Sequence, residues 1–216
     1  IALRHSDDDS AERAAAHSHV PILNSGSGSR EHAVGTPMII ADLYSLFGRL
    51  EGLKIGFYGT PEINRVSKAM LPILGHFGID VVVDDLGAFP FPKDVEDRAR
   101  QNGLKSLTYD KLDNFISDVD ILVCTRGLQK GIIPADKFPK EKEEAILKLY
   151  KPINTEHMKK LRQDAYLYML LPRIFEVELD VDPDPRALHS KRRPFVESCA
   201  AVMALWLCAI AILRTR

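Results

Sequence analysis

The 216-residue sequence predicts an α/β fold: a parallel, doubly wound, Rossmann-like sheet with helices on both faces. Short β-type runs alternate with helical patterns almost throughout, the spacing that builds parallel sheets. Two of the runs, Lys54–Tyr58 and Asp120–Thr125, are apolar enough to be buried on both faces. Glycines punctuate the helical patterns where a helix would stop, at Gly52, Gly78 and Gly103.

Taken in order, Ile1–Leu3 reads as the middle of a buried strand, and the chain does not begin with methionine, so upstream sequence is expected. No basic segment followed by a long apolar one marks a signal peptide. Val20–Leu23 is a short strand, followed by a Gly/Ser loop over Asn24–Ser29. Pro37–Leu50 reads as a helix, Lys54–Tyr58 as a strand, and Pro61–Phe77 as an amphipathic helix whose proline suits the first turn. Asp80–Val83 is a strand, Lys93–Gln101 a charged helix, Ser106–Thr108 a strand, and Asp110–Ile116 a short helix capped by Asp110. Asp120–Thr125 is the next strand; Lys140–Tyr150 and Thr155–Gln163 are polar-faced helices; Ala165–Leu171 is the last strand. Arg193–Leu213 is a closing helix.

Composition narrows the classes. At 45% hydrophobic, 27% charged and a net charge of −1, the chain has the make-up of a globular protein with no basic footprint for nucleic acid. The odd cysteine count, with Cys124, Cys199 and Cys208 in apolar runs, suits buried thiols in a reducing, cytoplasmic setting rather than a disulfide framework. The apolar run Cys199–Leu213 falls short of the roughly 17–25 residues that span a bilayer, so it reads as a buried helix and not as a membrane segment.

In such a sheet, ligands bind beyond the carboxyl ends of the strands. Gly56 and Gly59 invite a dinucleotide reading, but Gly-Phe-Tyr-Gly-Thr-Pro lacks the third glycine of G-x-G-x-x-G. No Walker loop, His-Glu-x-x-His, Cys-x-x-Cys or Gly-x-Ser-x-Gly occurs, and neither a metal nor a cofactor is expected. Arginines at strand ends say more. Arg65 opens a helix after one strand, and Arg126 ends another with Gln129 and Lys130 just beyond. A guanidinium fork matches carboxylate or phosphate, and helix N-termini add backbone N–H groups, so these loops point to an anionic small molecule.

The run Val20-Pro-Ile-Leu-Asn-Ser-Gly-Ser-Gly-Ser-Arg-Glu-His32 resembles the aspartate carbamoyltransferase stretch V-P-V-L-N-A-G-D-G-x-x-x-H. Ala41–Tyr44 and Leu50–Gly56 match the helix and strand that follow it. Asp118–Arg126 with Gln129-Lys130 is similar to A-D-V-L-Y-x-T-R-x-Q-K, and Leu171-Pro172-Arg173, Glu176, Asp180–Asp182 and Pro185–Ala187 resemble H-P-L-P-R…E-I…D-V-D…P-R-A. The ordered set resembles the aspartate/ornithine carbamoyltransferase family, and within it the aspartate carbamoyltransferases.

That resemblance implies three parts: residues 1–40 as a remnant of the carbamoyl-phosphate domain, 41–190 as the amino-acid domain, and 191–216 as a helix returning to the first. It assigns Arg4, His32, Leu171 and Pro172 to carbamoyl phosphate, with His32 polarising the carbamoyl carbonyl, and Arg65, Arg126 and Gln129 to aspartate. It also implies a homotrimer sharing sites between neighbours. Two motifs depart from the family. Counting back from the helix puts Gly35, not His32, at the position of the histidine in H-P-T-Q, and H-P-L-P-R has become Met169-Leu-Leu-Pro-Arg173. Gln129 is displaced by one residue relative to Arg126, and the S-T-R-T phosphate loop does not occur in the sequence. Three readings follow: a working carbamoyltransferase, a non-catalytic amino-acid-binding, regulatory or scaffolding homologue, and an enzyme using another amine or acyl donor.

Overall fold

The computed structural model describes residues 1–33, 35–128 and 138–190. The expected helix Arg193–Leu213, with Cys199 and Cys208, and the site candidate Gln129 lie outside the described residues.

Among the described residues, two parallel sheets form. The smaller pairs β1 (Ala2–His5) with β2 (Leu23–Ser27), connected through α1 (Ser10–Ala16). The larger contains β3 (Lys54–Tyr58), β4 (Asp80–Asp84), β5 (Ser106–Tyr109), β6 (Ile121–Cys124) and β7 (Tyr166–Met169), in the spatial order β5-β4-β3-β6-β7. Every pairing in it is parallel, as the alternation predicts.

Among the described residues, six α-helices accompany the larger sheet. They are α2 (Gly35–Phe47), α3 (Arg65–Gly75), α4 (Lys93–Gln101), α5 (Leu112–Phe115), α6 (Lys140–Leu149) and α7 (Thr155–Lys160). Strand side chains alternate between two cores. Ile55, Phe57, Val81, Val83, Ile121 and Val123 pack with Leu43 of α2, Met70 and Leu74 of α3 and Val95 and Ala99 of α4. Tyr58, Val82, Leu122, Cys124, Leu167 and Met169 face Leu112 and Phe115 of α5, Ile146 of α6 and Met158 of α7. Each large apolar side chain so enclosed is worth about 1.5–3 kcal/mol relative to exposure. α4 shows how the sequence encodes its place: Val95 and Ala99 share the buried face, Asp94 and Glu96 begin it, and Arg98 and Arg100 end it, complementing the helix dipole.

Several expectations need correction. β1 is a strand, but its residues are mostly exposed rather than buried. β2 starts where the expected strand Val20–Leu23 ends and runs through the Gly/Ser segment. Pairing supplies what propensity does not, since Leu23 N–H donates to Ile1 O and Gly28 N–H to His5 O. α1 is absent from the sequence pattern, because it buries only Ala11 and so carries no apolar stripe. α3 begins at Arg65 rather than Pro61, since Asn64 Oδ1 accepts from the N–H groups of Val66 and Ser67 and takes the cap. Asp110 is not the cap of α5; its carboxylate accepts instead from Lys111 N–H and Asn114 Nδ2, one residue too early. Among the described residues no helix is long and apolar enough to cross a membrane.

Candidate functional site

The chain leaves β3 to build β4 and β5 on one side, then returns to place β6 and β7 on the other. The strand order therefore reverses beside β3, which is where such sheets bind ligands. Tyr58 is level with Asp84 and Cys124, and Cys124 with Met169, so the loops after these strands leave the sheet at one height. The loop after β3 delivers Arg65, that after β6 Arg126, and that after β7 Leu171 and Pro172.

Arg65 is only 6% exposed. Its Nη1 donates to Gly28 O at 3.0 Å, and its guanidinium lies on Gly26 so closely that a Cβ there would stand 2.7 Å from Nη1. Gly26 also has φ +133°, a conformation that glycine tolerates best. Burial, then the charges of Arg4 and Arg126, lower the pKa of Arg65 to about 10. Arg126 is lowered too, by burial and by Arg4, with Glu176 acting in the opposite direction. Arg65 stays charged near neutrality, and among the described residues no carboxylate pairs with it within 4.0 Å. Exposed Arg4, at the end of β1, completes a group of three like charges whose mutual repulsion an anion would relieve.

The backbone under Arg126 is held from two sides. Thr60 Oγ1 donates to Arg126 O at 2.8 Å, Thr60 N–H donates to Thr125 Oγ1 at 2.6 Å, and Tyr150 OH donates to Thr125 O at 2.9 Å. Glu176, fully buried, then ties this loop to the next. Its Oε1 accepts from Gly127 N–H at 2.9 Å, and its Oε2 from Ile174 N–H and Phe175 N–H at 2.7 and 3.1 Å. Leu171 and Pro172 sit on the exposed part of that second loop, Leu171 at 56% exposure. The structure thus gathers Arg4, His32, Arg65 and Arg126; Leu171 and Pro172 stand at the adjoining strand end, and Gln129 is outside the described residues. A recess of about 220 Å³ is lined by none of the gathered four; Asp8 and Asp94 there oppose Arg30, Lys68 and Arg98, so it presents no single sign of charge.

His32 Nδ1 accepts from Gly35 N–H at 2.9 Å. Burial, then Arg65 and Arg4, lower its pKa to about 4, so the ring is neutral near pH 7 with its proton on Nε2. Between pH 4 and about 6.5 the unfolded chain holds a proton on this residue that the folded chain refuses, so stability rises with pH across that window and is lost on acidification. The loss due to His32 is expected to reach up to about 3 kcal/mol. His157 and His189, also lowered by burial, add to it with the same sign. Urea denaturation at pH 7 and pH 4.5 should show a smaller difference for His32→Gln than for the unsubstituted chain; equal differences would mean that His32 titrates normally.

Three contributors carry little signal in the sequence. Gly26 is one letter of a Gly/Ser loop, Gly35 marks only a displaced histidine, and Glu176 is a motif letter; an acid next to Ile174-Phe175 is the available signal for the last.

No model of a known protein family matches the sequence. Individual proteins do. The aspartate carbamoyltransferase catalytic subunit of Thermococcus onnurineus is 27% identical over 195 residues, 89% of this chain and 60% of that protein. That of Methanopyrus kandleri is 30% identical over 192 residues, 88% of this chain and 60% of its own length. The chain resembles the aspartate carbamoyltransferases. It spans about 60% of the length of these curated relatives. The aspartate transcarbamoylase of Trypanosoma cruzi in complex with aspartate and phosphate superimposes with a TM-score of 0.83 at 24% identity, covering 94% of this chain and 65% of that one. Its complex with N-(phosphonacetyl)-L-aspartic acid gives 0.81 with 64% of that chain covered. These crystal structures bear out the Rossmann-like α/β fold.

Proposed function

We propose that this chain supplies the amino-acid-gripping part of an aspartate carbamoyltransferase site. The observation that carries the reading is the grouping of Arg65 with Arg126 and Arg4 at the reversal of strand order, with Arg65 and Arg4 bearing on a neutral His32. Arg65 and Arg126 hold the carboxylates of aspartate, with Gln129 near its amine. Arg4 draws the phosphate of carbamoyl phosphate, and Leu171 and Pro172 face the carbamoyl group. The α-amine attacks the carbamoyl carbon, the bond from that carbon to the phosphate oxygen breaks, phosphate leaves with the electron pair, and the amine proton passes to phosphate or solvent. His32 Nε2–H donates to the carbamoyl oxygen as negative charge builds there. The chemistry is orientation and electrostatic stabilisation. The T. cruzi structures holding carbamoyl phosphate and aspartate together support the choice of substrates. The same reading divides the chain near residue 40 and expects a cytoplasmic homo-oligomer, trimeric by resemblance.

A second reading, an amino-acid-binding or regulatory homologue without turnover, is favoured by Gly35 and Met169. Glycine has no ring at the helix position where the family has histidine, and Met169 is buried in the core. Calorimetry with aspartate and carbamoyl phosphate, alone and together, followed by an assay for carbamoyl aspartate, separates them. The first reading expects both ligands to bind and product to form. Aspartate binding without product selects the second, and binding of neither ligand overturns both.

A further inference from the structure

We propose that Gly35 is the positioning residue for His32: the side chain missing at 35 leaves the notch in which an imidazole from three residues upstream is seated, with Nδ1 engaged and the proton left on Nε2. The consequence for catalysis rests on the carbamoyltransfer reading; the seating itself does not.

Three observations carry it. A Cβ built on Gly35 would lie 2.9 Å from His32 Nδ1, 3.0 Å from Cε1 and 3.1 Å from Cγ, closer than real Cβ atoms approach other heavy atoms or at the tight edge of that range. All three of those nearest atoms belong to the ring. Second, the backbone does not ask for glycine. Gly35 is the first residue of α2, a helical place that other residues adopt, and alanine is the better helix former by up to about 1 kcal/mol. Glycine at this place is therefore explained by the ring and not by the turn. Third, Gly35 N–H donates to Nδ1 at 2.9 Å, while Thr36 N–H donates to His32 O at 3.1 Å. His32 thus caps the first turn of α2 with both its side chain and its carbonyl, satisfying N–H groups that a helix leaves unpartnered there. A ring whose Nδ1 accepts must, when neutral, carry its proton on Nε2. Arg65 and Arg4 are the charged groups that bear on the ring.

Position 35 is where counting from α2 puts the family's histidine, and position 32 is where counting from β2 puts it. The inserted residues and the glycine answer one another: extra chain moves the histidine off the helix, and the vacated position takes its ring.

The test uses the full chain labelled with ¹⁵N-histidine. The unsubstituted protein should show His32 as a single neutral tautomer protonated on Nε2, titrating near pH 4. In Gly35→Ala the added methyl group should displace the ring, so that its midpoint moves up toward about 6.5 and the tautomer preference is lost. A Gly35→Ala protein whose His32 keeps its tautomer and midpoint would overturn the proposal. Thermal denaturation covers the case in which that variant folds poorly. Gly35→Ala should lower the melting temperature when His32 is present and raise it in a His32→Ala background, where the clash is gone and helix preference acts alone. A decrease of equal size in both backgrounds would show that glycine is needed for another reason and overturn the seating. Seating demonstrated in a chain that forms no carbamoyl aspartate would sustain this proposal while removing the functional reading alone.

Discussion

Replacing Arg65 with methionine is expected to weaken aspartate binding by about 10²–10⁴-fold while changing the stability of the ligand-free chain by no more than about 1 kcal/mol. The two effects separate because the guanidinium does different things in the two states. With a carboxylate bound, its fork makes two charge-assisted hydrogen bonds, each worth about 1.5–3 kcal/mol, in a place where water competes poorly. Without one, the same group is a buried cation pushed by Arg4 and Arg126, with one neutral hydrogen bond among the described residues, to Gly28 O, in return. Methionine keeps the packing of the stem and removes the repulsion, offsetting the lost hydrogen bond. Arg65→Lys should fall between: it keeps a charge but presents a point, not a fork, to the carboxylate. Titration calorimetry with aspartate and urea denaturation of the same three proteins give both quantities. Affinity retained within threefold in Arg65→Met would place the carboxylate elsewhere.

The larger sheet is legible in the sequence because its signals are local. Lys54–Tyr58 reads as a strand from its own residues, and the predicted and observed bounds coincide. The same holds for Lys93–Gln101, where patterning and terminal charges agree with burial. β2 is not legible in this way, since Leu-Asn-Ser-Gly-Ser has little intrinsic preference for a strand and is held by hydrogen bonds from β1, about twenty residues earlier. Arg65 and Arg126 stand out in the sequence because a fixed positive charge at a strand end has a chemical meaning of its own, whatever surrounds it. What holds them has no such local sign. Gly26, Gly28 O, Thr60 and Glu176 act through contacts across 37 to 66 residues of chain, which no local pattern encodes.

The glycines of Gly-Phe-Tyr-Gly make the converse point. They look like a phosphate-binding loop because they are close-approach residues, and they are, but of protein against protein. A Cβ at Gly56 would meet Phe115 at 2.9 Å, and one at Gly59 would press on Tyr150 at 2.7 Å. His32 lies between the two cases. Its presence near the arginines is read from the β2 side, its apparent misplacement from the α2 side, and only the hydrogen bond with Gly35 N–H shows how one residue satisfies both counts.

Replacing Glu176 with alanine is expected to cost about 3–5 kcal/mol, a large share of the roughly 5–15 kcal/mol that holds a typical domain together. The carboxylate is fully buried and accepts three backbone N–H groups from two different loops. Alanine leaves the donors of Gly127, Ile174 and Phe175 without an acceptor, each a loss of about 1–3 kcal/mol less whatever water can enter to replace it. Glutamine cannot stand in for it. Its single carbonyl can serve Gly127 on one side or Ile174 and Phe175 on the other, and its NH₂ group must then point at donors. Glu176→Gln should therefore recover part of the stability and not all. Both variants also withdraw the negative charge that favours the cationic form of Arg126, so aspartate affinity should fall even where the fold survives. Glu178→Ala, exposed and two residues away, should change stability by less than about 0.5 kcal/mol. Urea denaturation ranks the three, and amide exchange locates the effect. The N–H groups of Gly127, Ile174 and Phe175 should exchange slowly in the unsubstituted chain and quickly in Glu176→Ala, while those of β3 follow only the global stability. Unchanged exchange at all three amides would mean that the loops carrying Arg126 and Pro172 are joined by something other than this carboxylate.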